Sequence, residues 1–426
     1  MRVLVVGRGG REHTIVWALK KSPKVSEIYC APGNAGIAEM ADCVSIEETQ
    51  FEELCRFAKE NKIDLAVVGP EDPLFAGAVD ALEAAGIKTF GPRKNAAIIE
   101  GSKVFTKDLM KKYQIPTAAY ESFDRYDDAL AYLHAHQAPI VIKADGLAAG
   151  KGVTVAATME EAEQALKDIM VGKAFGEAGN QVVIEEYLQG QEMSILAFVD
   201  GETVRPMVPS QDHKPVFDGD KGPNTGGMGT YSPVPHMPQS IVDEAIETIL
   251  IPAAKAMCCE GRPFRGVLYA GLMITENGPK TIEFNCRFGD PETQVVLPRL
   301  KTDLFDVFMA TVEGRLEELE LEWSDEAAVC VVLASGGYPG SYKKGLPISG
   351  LNDVQNAIVF HAGTAAKDGQ IVTAGGRLLG ITGMGATIEE ARAKAYAAAE
   401  VIQFEGKHYR KDIAQKALDA AKQNQQ

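Results

Sequence analysis

The stretch Pro139-Ile-Val-Ile-Lys143-Ala-Asp145-Gly-Leu-Ala-Ala-Gly150-Lys151-Gly152-Val153-Thr-Val-Ala156 decides how the chain is organised. Two apolar runs, Pro139–Lys143 and Thr154–Ala156, read as strands joined by a glycine-rich loop. The loop lies between two strands, so it is not a Walker A site. Counting back from Gly150-Lys151, Asp145 stands where the first glycine belongs, and Gly152 replaces Ser or Thr. Such a hairpin loop can still fold over a triphosphate and offer it backbone N–H groups. Lys143 ends an apolar strand, where an ammonium is costly without an anionic partner. A phosphate is one such partner.

Towards the N-terminus, strand and helix alternate. Val3–Val6 is uniformly apolar and reads as a central parallel strand. An amphipathic segment, Arg11–Lys21, follows, with further strands at Glu27–Cys30, Leu65–Val68 and Lys88–Phe90. Asp72 is placed to cap a helix with Pro73 at its first position and Gly86 at its end. This pattern predicts a doubly wound α/β domain with a parallel sheet. The loop Gly7-Arg-Gly9-Gly10-Arg11-Glu12-His13 can bring backbone to an anion at a helix N-terminus. A dinucleotide fingerprint would need glycine where Glu12 stands and an acid ending the second strand, which instead reads Ala31-Pro-Gly-Asn34. Glu100–Tyr113 reads as a helical connector.

Towards the C-terminus, Thr158-Met-Glu-Glu161 and Thr387-Ile-Glu-Glu390 are capping boxes. Gln181–Glu185 and Ser194–Val199 read as strands. Ser210–Ser232 carries five glycines without periodicity and reads as a long functional loop. Val267–Thr275 and Lys280–Asn285 form a hairpin across Asn277-Gly278. In Ile282-Glu283-Phe-Asn285-Cys-Arg287-Phe-Gly-Asp290-Pro-Glu292, alternation puts Glu283 and Asn285 on one strand face. Two oxygen ligands at that spacing suit Mg²⁺, which completes its shell with water and phosphate. Arg287 adds a cation beside them. From about Trp323 the texture changes to a separate α+β region.

Bulk properties narrow the class. The 426 residues carry a net charge of −16, against a nucleic-acid partner. No apolar run reaches the roughly 18 residues of a membrane helix, and the first residues are interrupted too early for a signal peptide. A cytoplasmic protein is expected. Seven cysteines, with no Cys-x-x-Cys, indicate neither a disulfide framework nor a zinc site.

Taken together, Gly7–His13, Gly69–Leu74, Gly101-Ser-Lys103, Lys143–Val153, Gln211-Asp212-His-Lys214, Gly222-Pro-Asn224-Thr-Gly-Gly-Met-Gly229 and Glu283–Glu292 resemble the ATP-grasp superfamily. Within it the resemblance is to the glycinamide ribonucleotide synthetase family, and it runs over essentially the whole chain. It implies an N-terminal pre-ATP-grasp domain over 1–102. An ATP-grasp region follows over 103–322, with a small lobe near 120–190, and a C-terminal α+β domain over 323–426. It implies an ADP-forming carbon–nitrogen ligase of purine biosynthesis that acts on glycine, phosphoribosylamine and ATP through glycyl phosphate. By the same resemblance, Lys103, Lys143, Gly150, Lys151 and Gly152 serve the phosphates. Glu185, Glu186, Leu188 and Glu192 hold adenosine. Glu283 and Asn285 hold Mg²⁺ or Mn²⁺. Arg287, Lys143 and Asp212 are catalytic candidates; Gly9, Gly10, Arg11, Asp212, Asn224 and Arg287 are substrate contacts. The lobe loops Lys143–Val153 and Ser210–Ser232 are expected to act as mobile lids. Two positions depart from the family: Pro215 follows Lys214 where arginine is common, and the strand Val267–Ile274 carries no acid.

Overall fold

The computed structural model describes residues 1–146, 148 and 151–425. The uniformly apolar run at the start forms the strand Arg2–Gly7, whose Val3, Leu4, Val5 and Val6 are fully buried. A strand apolar on both faces needs cover on both faces, and this one is the middle of a five-stranded parallel sheet. The order is Asp42–Cys43, Glu27–Pro32, Arg2–Gly7, Leu65–Val68, Thr89–Phe90. The doubly wound expectation holds, with the short edge strand Asp42–Cys43 added. The segment after Leu65–Val68 differs from its reading. The helix begins at Glu71, with Pro70 as its N-cap residue, and breaks at Gly77 (φ +95°) before Ala78–Ala84. Starting two residues earlier leaves the Glu71 side chain at the sheet's edge, where it meets two arginines.

The connector is likewise two helices, Lys94–Gly101 and Lys103–Lys112, parted by Ser102. Ser102 Oγ accepts the N–H of Phe105 at 3.1 Å, an N-cap that sets a new helix axis. The small lobe is a four-stranded antiparallel sheet of Tyr120–Phe123, Val182–Glu186, Ile140–Ala144 and Val153–Ala156. Helices Tyr126–His134 and Met159–Met170 cover it. A second antiparallel sheet runs Thr203–Pro206, Gln191–Asp200, Arg265–Thr275, Gly278–Asn285. Phe90, Phe198, Phe288 and Phe308 cluster beneath it, with Phe90 and Phe308 centroids 4.2 Å apart.

Ser210–Ser232 is not a structureless loop. It contains strands Gln211–Asp212, Pro215–Phe217, Lys221–Asn224 and Gly229–Ser232. The first and last join Ala327–Ala334, Arg377–Gly385 and Ile358–His361 in one sheet. The partners lie about a hundred residues downstream, so local periodicity carries no trace of them. Among the described residues, no helix is long and apolar enough to cross a membrane.

The N-terminal and C-terminal regions meet at a buried histidine pair. His361 N–H donates to His13 Nδ1 at 2.7 Å. Burial holds His13 at about 3 and His361 at about 4. Both stay neutral when folded, while the unfolded chain takes up protons below about pH 6.5. Stability is therefore full above that value and lost as pH falls towards 4, by about 2 kcal/mol per imidazole at pH 5. Urea midpoints should drop between pH 7 and pH 5, with a shallower drop in His13→Gln; equal slopes would contradict this linkage.

Candidate active site

Strand pairing builds the first wall. Lys143 lies opposite Val183 and Val141 opposite Glu185, so Lys143 and Glu185 share a sheet face. Lys143 Nζ sits 3.0 Å from Glu185 Oε1 and 3.3 Å from Ile282 O, reaching from the small lobe to the opposing hairpin. Lys107 closes the same carboxylate from the other side at 3.2 Å. Both lysines and Glu185 are buried. Burial lowers the Lys107 pKa to about 8. Lys103, one helical turn before Lys107, points its ammonium at Gly146 O at 3.0 Å. Asp145 anchors the loop start, accepting Ser102 Oγ and Val104 N–H. Gly152 fits because a Cβ there would lie 2.6 Å from that of Ala148. Lys151 is exposed, and Gly150 lies outside the described residues.

The opposite wall is the hairpin. Glu283 pairs with Gly271, and Asn285 with Tyr269, placing both on one face as the alternation predicts. Glu283 is half-buried; its Oε1 is 3.6 Å from Lys214 Nζ. The surrounding walls oppose ionisation, but Lys214, Lys143, Arg287 and Lys103 outweigh them and hold this carboxyl below its usual range. Glu283 in turn raises Lys214. A carboxylate and an amide oxygen are hard donors that fit Mg²⁺. Among the described residues no group of three or more His, Cys, Asp or Glu side chains forms a cage. A cation here would need phosphate and water to complete its shell.

Arg287 is half-buried in a carboxylate fork, 3.2 Å from Glu71 Oε2 and 3.0 Å from Glu100 Oε1. Burial opposes its charge, yet these acids keep it protonated. Under the same field Glu71 falls to about 2. Asp212 accepts His213 N–H at 2.7 Å, while its buried Oδ2 has no partner among the described residues. Burial and neighbouring Glu292 push its pKa well up. Gly227 (φ +125°) borders it: a Cβ would fall 2.8 Å from Asp212 Oδ1 and 2.5 Å from Pro291. Gly227→Ala should therefore lower turnover at least tenfold, with about 1–2 kcal/mol lost in stability. Kinetics and thermal melts test this; unchanged turnover would release Asp212 from the site.

Two sets of candidate contacts are engaged within the chain. At Gly9–Arg11, candidate substrate contacts, the chain's own acids take backbone N–H groups. Asp290 Oδ2 accepts Arg11 N–H at 3.2 Å, and Glu12 Oε1 accepts Gly9 N–H at 3.2 Å. The Arg11 guanidinium is engaged by Glu12 at 2.6 Å and by Phe288 O at 3.1 Å. Gly10 is packed against Gln294, whose Nε2 would lie 2.6 Å from an added Cβ. Secondly, the carboxylates of Glu185 and Glu186, candidates for the adenosine side, have partners within the chain. Glu185 holds two lysines, and Glu186 exchanges bonds with Ala119 through both its N–H and its Oε1. Half-buried Leu188 remains at the crossover, and exposed Glu192 lies near enough to raise Lys214. Asn224 is exposed, opposite Pro215. Sequence reasoning missed Lys107, Glu71, Glu100 and Arg377. The last donates to Gly227 O at 3.3 Å and Asp290 O at 2.9 Å. Lys107 had a readable signal, standing four residues after Lys103 on one helix face.

Comparison with known proteins agrees with this fold. Residues 1–100 match the phosphoribosylglycinamide synthetase N domain, 101–293 its ATP-grasp (A) domain and 328–416 its C domain. The chain is 55% identical to a phosphoribosylamine–glycine ligase of Caldanaerobacter subterraneus, over 97% of this chain and 99% of that one. It is 56% identical to that of Halalkalibacterium halodurans, over 98% and 97%. The crystal structure of phosphoribosylamine–glycine ligase from Thermotoga maritima superposes with a TM-score of 0.87 at 38% identity, covering 97% of this chain and all of that one. A biotin carboxylase domain from Hydrogenobacter thermophilus in complex with MgADP shares the fold, with a TM-score of 0.72 at 15% identity. The chain belongs to the phosphoribosylglycinamide synthetase family.

Proposed function

We propose that this chain joins glycine to phosphoribosylamine at the expense of ATP, giving glycinamide ribonucleotide, ADP and phosphate in purine biosynthesis in the cytoplasm. The observation that carries the reading is the charge around Glu283. Four cations, Lys103, Lys143, Lys214 and Arg287, act on that one carboxylate from two facing walls. Such a surplus is suited to a polyphosphate rather than to a neutral ligand. Lys103 and Lys143 would exchange Gly146 O and Glu185 for phosphate oxygens, while Lys107 keeps Glu185 neutralised. Leu188 and Glu192 would border the adenosine. Glu283 and Asn285 would hold a divalent cation, Mg²⁺ or Mn²⁺, whose charge offsets that of the phosphates.

The chemistry follows from positioning and neutralisation. A glycine carboxylate oxygen attacks the γ-phosphorus; the bond to the β,γ-bridging oxygen breaks and ADP leaves. The amine of phosphoribosylamine then attacks the acyl carbon. Phosphate departs with the bonding pair, and the amine loses a proton. Arg287, fixed by Glu71 and Glu100, stabilises the transferring phosphoryl group. Asp212 and Asn224 face the glycine and amine side; the Gly9–Gly10 turn borders it without the charge of Arg11. In a three-part division at 102/103 and 322/323, ATP would lie in the middle part.

An assay with ATP, glycine and phosphoribosylamine, omitting each in turn, tests the reading. ADP should form only with glycine present and glycinamide ribonucleotide only with all three. ADP formation indifferent to glycine would refute it.

A further inference from the structure

The hairpin Pro215–Phe217/Lys221–Asn224 carries Lys214 at its root and Asn224 at its end, yet most of what holds it comes from residues 408–416. Arg410 is 1% exposed. Its Nε and Nη2 donate to the two oxygens of Asp412 at 2.8 and 2.7 Å. Its Nη1 donates to Asp220 Oδ1 at 3.0 Å and to Pro215 O at 3.1 Å. Asp412 also accepts Gly219 N–H at 2.9 Å, and Asp218 accepts Lys411 N–H at 2.8 Å. His408 Nε2 lies 2.8 Å from Val216 O, and its ring packs edge-on against Phe217. All six residues 215–220 are thus gripped from one downstream segment.

Pro215 has no N–H and a fixed φ. Its carbonyl is the strong backbone handle left, and Arg410 holds it one residue from Lys214. Lys214 in turn lies 3.6 Å from Glu283. We propose that Arg410 is a positioning residue for the glycine-and-amine side of the active site, acting through the hairpin to keep Lys214 and Asp212 aimed at the cleft. The inference rests on the ligase reading for its kinetic readout. It also replaces the expected mobile lid by a pinned arm.

The test compares Arg410→Met with Thr387→Ala. The latter removes the N-cap that Thr387 gives Glu390 N–H and touches no part of the hairpin. In Arg410→Met, kcat should fall at least tenfold and KM for glycine should rise, with KM for MgATP within twofold. Thr387→Ala should lower Tm with all three constants unchanged. Asp412→Asn, a milder cut in the same fork, should show the same split at smaller size, and it decides the matter should Arg410→Met not fold. Wild-type kinetics in Arg410→Met, or constants that move together in proportion to Tm, would overturn the proposal. Should the wild type form no glycine-dependent ADP, the ligase reading fails separately. Hydrogen exchange at 215–224 then decides: faster in Arg410→Met than in Thr387→Ala supports the clamp, and equal rates refute it.

Discussion

Lys143→Met is expected to lower kcat/KM for MgATP by roughly 10²- to 10³-fold while the chain stays folded. Lys143 touches both walls of the cleft, through Glu185 and Ile282 O. Methionine keeps the packing of the stem but removes the charge that a phosphate would meet. Breaking a buried ion pair ordinarily costs about 3–5 kcal/mol because a charge is left unpaired. Here Glu185 keeps Lys107 at 3.2 Å, so the loss in stability should be a small part of that. Steady-state kinetics and thermal melts separate the two effects. A variant of normal kcat/KM would remove Lys143 from the phosphate site, and a collapse of Tm would make its role structural.

The second large effect is in Glu283→Gln. The amide keeps the shape and loses the charge that Lys214, Lys143, Arg287 and Lys103 share. Turnover at fixed Mg²⁺ should fall about 10²-fold or more, and its Mg²⁺ dependence should move to higher concentration. Metal-free ATP should bind as well as before, or better, because the cations no longer have an internal anion. These opposite signs distinguish a metal ligand from a structural carboxylate, whose loss would weaken both. Titrations of Mg²⁺ and of metal-free ATP read the two signs.

Alternation alone put Glu283 and Asn285 on one face, and the cost of burying an ammonium singled out Lys143. Those inferences needed only neighbours in sequence. What escaped depends on long-range pairing. The Gly9–Arg11 turn has the composition of an anion seat, but the anion is Asp290, nearly 280 positions away. Nothing local links Glu71 and Glu100 to Arg287, which folds between them from far downstream. Ser210–Ser232 reads as a loop because its strands are too short for periodicity and their partners are distant. The two lysines that face Glu185 come from other elements, and nothing in its local sequence points to them.

On the ligase reading, a carboxylate is activated by phosphoryl transfer before the amine attacks it. Isotope transfer tests it most directly. With glycine labelled by ¹⁸O in its carboxylate, the account predicts that each inorganic phosphate released carries one ¹⁸O and that the amide product retains the other. Unlabelled phosphate formed alongside product would contradict it.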